Sequence, residues 1–124
     1  MKLLPVPHPA SGFADALAGR DFDGLSAMLA TDVCMRALTP PGPVELSGAA
    51  DAAARFASWF GGSTNLELVR AGSEAVGDRW HVFYRLRVSR RGDPTSIVEQ
   101  HLFCALDQGR ITAIDLVCSG FRPE

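Results

Sequence analysis

The order of hydrophobic periods along the chain predicts an α+β fold, with helices packed on one face of a sheet. Three observations carry this. Apolar residues recur at helical spacing in three segments before residue 61. From residue 64 the period changes to two. Four strand-like segments then follow, separated by turn residues.

Pro5, Pro7 and Pro9 make residues 1–9 an extended arm, leaving 10–124 as one domain. Ser11 reads as the N-cap of "FADALAG", which sets Phe13, Ala16 and Leu17 on one face. Gly19 and Arg20 end that helix. Asp21 caps a second, "FDGLSAMLA", with Leu25, Met28 and Leu29 as its buried stripe. "VCMRAL" (33–38) is a short strand with Val33, Met35 and Ala37 on one side. Pro40, Pro41 and Pro43 remove three donors, so "TPPGP" is irregular and "VEL" is at most a short edge strand.

Ser47 is the expected N-cap of "GAADAAARFASWF", where Ala52, Phe56, Trp59 and Phe60 share a face. Gly61-Gly62 should end it in a left-handed conformation. "TNLELVRAGSEAVG" is a strand or a bent pair. "RWHVFYRLRVSR" alternates Trp80, Val82, Tyr84, Leu86 and Val88 with Arg79, His81, Phe83, Arg85 and Arg87. "RRGDP" is a hairpin turn, and strands over 95–106 and 110–118 complete the chain.

A length of 124 residues suffices for one buried core. The net charge of −2 gives no general attraction to nucleic acid or to anionic membranes. Cys34, Cys104 and Cys118 are odd in number and widely spaced, which predicts reduced thiols and a cytoplasmic location. "MKLLPVPHP" is too short and proline-broken for a signal peptide, and no stretch is long enough to span a membrane. His8, His81 and His101 are scattered, so no metal site is expected. Neither a phosphate-cradling glycine loop nor a nucleophile elbow is present. The arginines at 85, 87, 90 and 91 read as a solvated strand face.

"ALAGRDFDGLSAMLATDV" (16–33), "ELSGAADAAARFASWF" (45–60) and "EQHLFCALDQGRITAIDL" (99–116) together resemble the nuclear transport factor 2-like superfamily. That superfamily includes SnoaL-like polyketide cyclases and ketosteroid isomerases. The resemblance implies a cone, with a bent, mainly antiparallel sheet wrapped around three helices and an apolar cavity at its wide end. Ketosteroid isomerases carry a general-base aspartate where this chain has Ala37, a tyrosine where it has Phe13, and a neutral carboxylic acid on or beside His101. Steroid isomerisation is therefore not expected. SnoaL-like cyclases are similar in a different respect: their histidine and aspartate on the last two strands lie close to His101 and Asp115. The arginine and two aspartates of limonene-epoxide-hydrolase-like members find no match.

The last hairpin decides whether His101 meets Asp115, since a one-residue slip exchanges the faces. A three-residue Asp107-Gln108-Gly109 loop pairs Leu106 with Arg110 and sets His101 opposite Asp115, with Glu99 on the same face. A two-residue Gln108-Gly109 loop sets His101 opposite Leu116 instead. Gln is a poor first residue for the shorter turn, which favours the longer one. A buried Glu99 or Asp115 beside His101 suits proton abstraction next to a carbonyl. Against this, Leu102, Cys104, Leu106, Ile114, Leu116 and Cys118 form the natural core face. That reading, the favoured one, puts Glu99, His101 and Asp115 outside with His81, Arg85 and Arg87.

Candidate lining residues for the cavity are Phe13, Met35, Trp59, Phe60, Trp80, Tyr84 and Cys118; residues of these types more often form plain core. Two functions stay open: a cofactor-free cyclase or isomerase using His101 with Asp115 or Glu99 on a hydrophobic carbonyl compound, and a non-catalytic module that binds an apolar ligand or dimerises. Phe83, Phe103 and Val117 on the outer face fit a homodimer through the sheet, common in the resembling families.

Overall fold

The computed structural model describes residues 12–124, and the expected arm and Ser11 cap lie outside them. Helices α1 (Phe13–Ala18) and α2 (Phe22–Ala27) precede strands β1 (Leu29–Thr39) and β2 (Gly42–Ser47). Helix α3 (Ala49–Phe60) follows, then β3 (Asn65–Val76), β4 (Arg79–Ser89), β5 (Ser96–Asp107), β6 (Arg110–Cys118) and the two-residue β7 (Arg122–Pro123). The strands form one sheet in the order β2-β1-β6-β5-β4-β3, with β7 paired to β5. Among the described strands β1 and β6 alone run parallel, and the remaining pairs are antiparallel. This is the expected α+β cone. Its core joins Phe13, Leu17, Leu25, Phe56 and Phe60 of the helices to Met35, Tyr84, Leu86, Leu102 and Ile114 of the inner sheet face.

The local signals were met in part. Asp21 caps α2 through its Oδ1, which accepts from the Gly24 amide at 2.9 Å. The helix ends sooner than its periodicity suggests, because β6 takes up the chain: the Ile111 amide donates to the Met28 carbonyl and Leu29 pairs with Ile111. Strand β1 is correspondingly longer. Strand β2 also exceeds the expected "VEL" and holds Pro43, which is tolerated because β2 is the sheet edge.

Two helix signals are corrected. Ser47 ends β2, paired with Cys34, and Gly48 (φ 96°) is the N-cap of α3 without any side-chain bond. Gly48 is held there by its amide, which donates to the Val33 carbonyl at 2.8 Å. At the other end Gly61 is right-handed (φ −65°), because the Ser63 amide and hydroxyl both donate to the Phe60 carbonyl and tighten the last turn.

The final hairpin uses the shorter loop. Gln108 (φ 51°) and Gly109 (φ 78°) both have positive φ, the signature of a type I′ turn, and Asp107 pairs with Arg110. The favoured three-residue loop is therefore overturned, but the face exchange that a two-residue loop implies does not persist. A bulge between the Leu106–Ile111 and Ala105–Ala113 pairs leaves Thr112 as an extra residue on β6. Beyond it, His101 stands opposite Val117 and Asp115 opposite Phe103. His101 and Asp115 share a face, two positions out of register.

Candidate functional site

The inner face of the sheet carries one polar row. Tyr84 pairs with Gln100 and Gln100 with Cys118, so three neighbouring strands align these side chains. The Tyr84 hydroxyl donates to Gln100 Oε1 at 2.5 Å, and Gln100 Nε2 donates to Cys118 Sγ at 3.3 Å. Tyr84 and Gln100 are both fully buried, so each polar atom needs the other. Burial pushes the Tyr84 phenol well above the usual 10. Burial likewise pushes the Cys104 thiol up to about 12, which leaves it an inert filler.

The row ends at an open cavity of about 720 Å³. Pro40 and Pro41 of the β1–β2 turn form one side, Cys118 and Phe121 of the segment after β6 another, and Arg55 and Trp59 of α3 a third. Arg55 and Trp59 are four apart and so share a helix face. Phe121 is held by a tilted ring contact with Phe60, centroids 6.0 Å apart and planes at 59°, and by the Arg90 guanidinium 5.0 Å from its ring centre. Arg90 also donates to the Trp59 carbonyl. Arg55 is the single charged side chain among the described residues around the cavity.

The outer face carries the titratable groups. Arg85 stands directly opposite Glu99, and its Nε donates to Glu99 Oε1 at 2.9 Å. Glu99 Oε2 accepts from His101 Nε2 at 2.8 Å, and His101 Nδ1 lies 2.9 Å from His81 Nε2. With facing nitrogens this close, ring centroids 5.1 Å apart and planes within 15°, the imidazoles meet edge to edge. The carboxylate fixes the tautomer. Neutral His101 keeps its proton on Nε2 and accepts at Nδ1 from His81 Nε2–H. His101, then Arg85, hold the Glu99 carboxyl below its usual range. Glu74 Oε1 lies 3.6 Å from His81 Nδ1, and Phe103 stacks on His81 at 4.7 Å.

Asp115 belongs to another group. Arg36, its register partner on the parallel strand β1, binds its Oδ1 at 2.9 Å, and Arg79 approaches Oδ2 at 3.4 Å. Glu99 and His101 are thus brought together, whereas Asp115 is engaged by arginines. All three lie outside. Among the expected lining residues, Trp59 and Cys118 border the cavity, and Tyr84 reaches it through Gln100. Phe13, Met35 and Phe60 are closed in the core, and Trp80 is half-buried at the start of β4.

Arg55, Phe121 and Gln100 were not among the residues singled out from the sequence. Gln100 was legible as a polar residue in step with Val98, Leu102 and Cys104 on the core face. Arg55 was legible as the residue one turn before Trp59. Phe121 carried no local signal, because its position follows from the short β7 pairing.

Three helices packed on a bent, mostly antiparallel sheet define a class of small α+β domains. The sequence matches the SnoaL-like domain over residues 10–114, and the chain belongs to that family. No curated protein matches it. Among solved structures it is similar to a hypothetical protein of ketosteroid isomerase-like fold from Catenulispora acidiphila, crystallised with trimethylamine (16% identity, 90% of this chain and 85% of that one, TM-score 0.73). A polyketide cyclase candidate from Xanthomonas campestris is also similar (22%, 88% and 89%, 0.67). So is a limonene-epoxide-hydrolase-like epoxide hydrolase from M. tuberculosis (20%, 90% and 80%, 0.66). At these identities the likeness is one of fold.

Proposed function

We propose that this SnoaL-like domain binds a small, largely apolar molecule in the cavity between α3, the β1–β2 turn and Phe121. The supporting observation is a division between the two sheet faces. The cavity is walled by Pro40, Pro41, Trp59 and Phe121, a surface suited to an apolar or aromatic body. Its volume of about 720 Å³ falls in the usual range for small-molecule sites. Glu99, His101 and Asp115 lie on the opposite face, engaged with one another or with arginines. Binding without acid–base catalysis by these three groups is accordingly the reading the geometry favours. Isothermal calorimetry with the neutral probe 2-naphthamide tests it. Saturable 1:1 binding lost on filling the cavity by Val44→Trp, and retained in His101→Gln, is expected. Binding insensitive to Val44→Trp but lost in His101→Gln would reject it.

The outer face is the proposed homodimer surface. Leu38, Phe103 and Val117 are exposed there, 58%, 37% and 50%, around ion pairs that a second copy would cover. Phe103→Asp should turn a dimer into a monomer in sedimentation velocity. No helix among the described residues is long and apolar enough to cross a membrane. The three free cysteines support a reducing, cytoplasmic setting.

A further inference from the structure

The geometry points to a carboxylate as the polar head of the cavity's ligand, with Arg55 as its anchor; this rests on the proposed binding function. Arg55 is half-buried on α3, beside Trp59. Every other described residue around the cavity is uncharged. Among the described residues, no carboxylate or carbonyl pairs with the Arg55 guanidinium, although Arg36, Arg79, Arg85 and Arg87 each have an acidic partner. Residues 1–11, "MKLLPVPHPAS", contain no acidic side chain that could serve.

Arg55 is half-buried on the cavity wall, so a ligand that fills the cavity would cover its guanidinium further and make the charge costly to leave without a counter-charge. It also acts at longer reach there than in bulk water. Arg90 adds a second positive charge behind Phe121, on which its guanidinium rests. The end of the cone is therefore electropositive in a chain whose net charge is −2. Arginine's planar fork matches a carboxylate through two parallel N–H···O bonds, which a neutral amide cannot reproduce. The Trp59 and Phe121 walls leave room for a flat apolar body next to that head. The ligand class is thus a monocarboxylic acid with an aromatic or branched apolar body.

The test is a calorimetric comparison of 2-naphthoate with 2-naphthamide, which share a body and differ in charge. The acid should bind about tenfold more tightly than the amide, the scale of a charge-assisted bond over a neutral one. In Arg55→Gln its affinity should fall level with the amide's, and Arg55→Lys should recover part of the preference. Arg55 is on the surface of its helix, and circular dichroism of both variants checks that the fold is intact. Equal affinities in the wild type, or a preference that survives Arg55→Gln, would overturn the carboxylate assignment and leave the binding function standing. Failure of both probes to bind would overturn both.

Discussion

His101 Nδ1 lies 2.9 Å from His81 Nε2, across two strands that set His101 opposite Phe83 and His81 opposite Phe103. The two imidazoles therefore pair diagonally, and Glu99 on the far side of His101 fixes which nitrogen carries the proton. The arrangement resembles a catalytic relay in its parts. Its position on the outer sheet face, with Glu99 also held by Arg85, makes it a cross-strand polar network among aromatic side chains.

Such a network should contribute modestly to stability. Glu99→Gln and Asp115→Asn are each expected to cost under about 1 kcal/mol in urea unfolding, since both carboxylates are partly solvated. The sign with pH is set by the lowered Glu99 pKa. Its contribution is complete above the ordinary carboxylate range, about 4.3, and is lost as pH falls through the lower folded value. Glu99→Gln should flatten the acid limb of the stability curve.

The inner row should behave differently. Gln100→Leu leaves the buried Tyr84 hydroxyl without its acceptor and should cost about 1–3 kcal/mol. Adding Tyr84→Phe removes the orphaned group, so the double variant should be more stable than Gln100→Leu alone. A double-mutant cycle on unfolding free energies measures this directly.

Tyr84 is the only tyrosine, so its ionisation can be followed by ultraviolet absorbance without assignment. Its folded pKa is raised by burial. The neutral phenol then stabilises the fold fully below the unfolded value of about 10, and that contribution is lost as pH rises above it. Tyrosinate should appear together with loss of the near-ultraviolet circular dichroism signal. Ionisation with the fold intact would contradict the burial.

The turn offers a stabilising variant. Gln108 occupies a positive-φ position that Asn tolerates better. Gln108→Asn should raise stability by a few tenths of a kcal/mol, and thermal unfolding would register an upward shift. No change in Tm would argue that Gln108 is unstrained there.

These positions also mark what could be read from the sequence. The alternation of Val82, Tyr84, Leu86 and Val88 set the inner face of β4 correctly, because side-chain burial on a half-covered strand is a local property. Asp21 capped its helix for the same reason. The register of the last hairpin was not legible: the extra residue Thr112 cancels the slip made by the short loop, and neither feature has its own signal. The partner of Asp115 was missed because Arg36 arrives through a parallel pairing 79 residues away. The cavity was expected where aromatic residues cluster. Phe13 and Phe60 instead pack against Phe56 or Phe121, while a turn and the segment after β6 supply most of the wall.

The most direct test of ligand binding on the inner side is amide chemical-shift mapping with 2-naphthamide. Shifts are expected at Arg55, the Trp59 indole N–H and the amides of Cys118 to Phe121, with His81, His101 and Phe103 unmoved. Shifts confined to His81, His101 and Phe103 would contradict it and return the acid–base groups of the outer face to the centre of this protein's function.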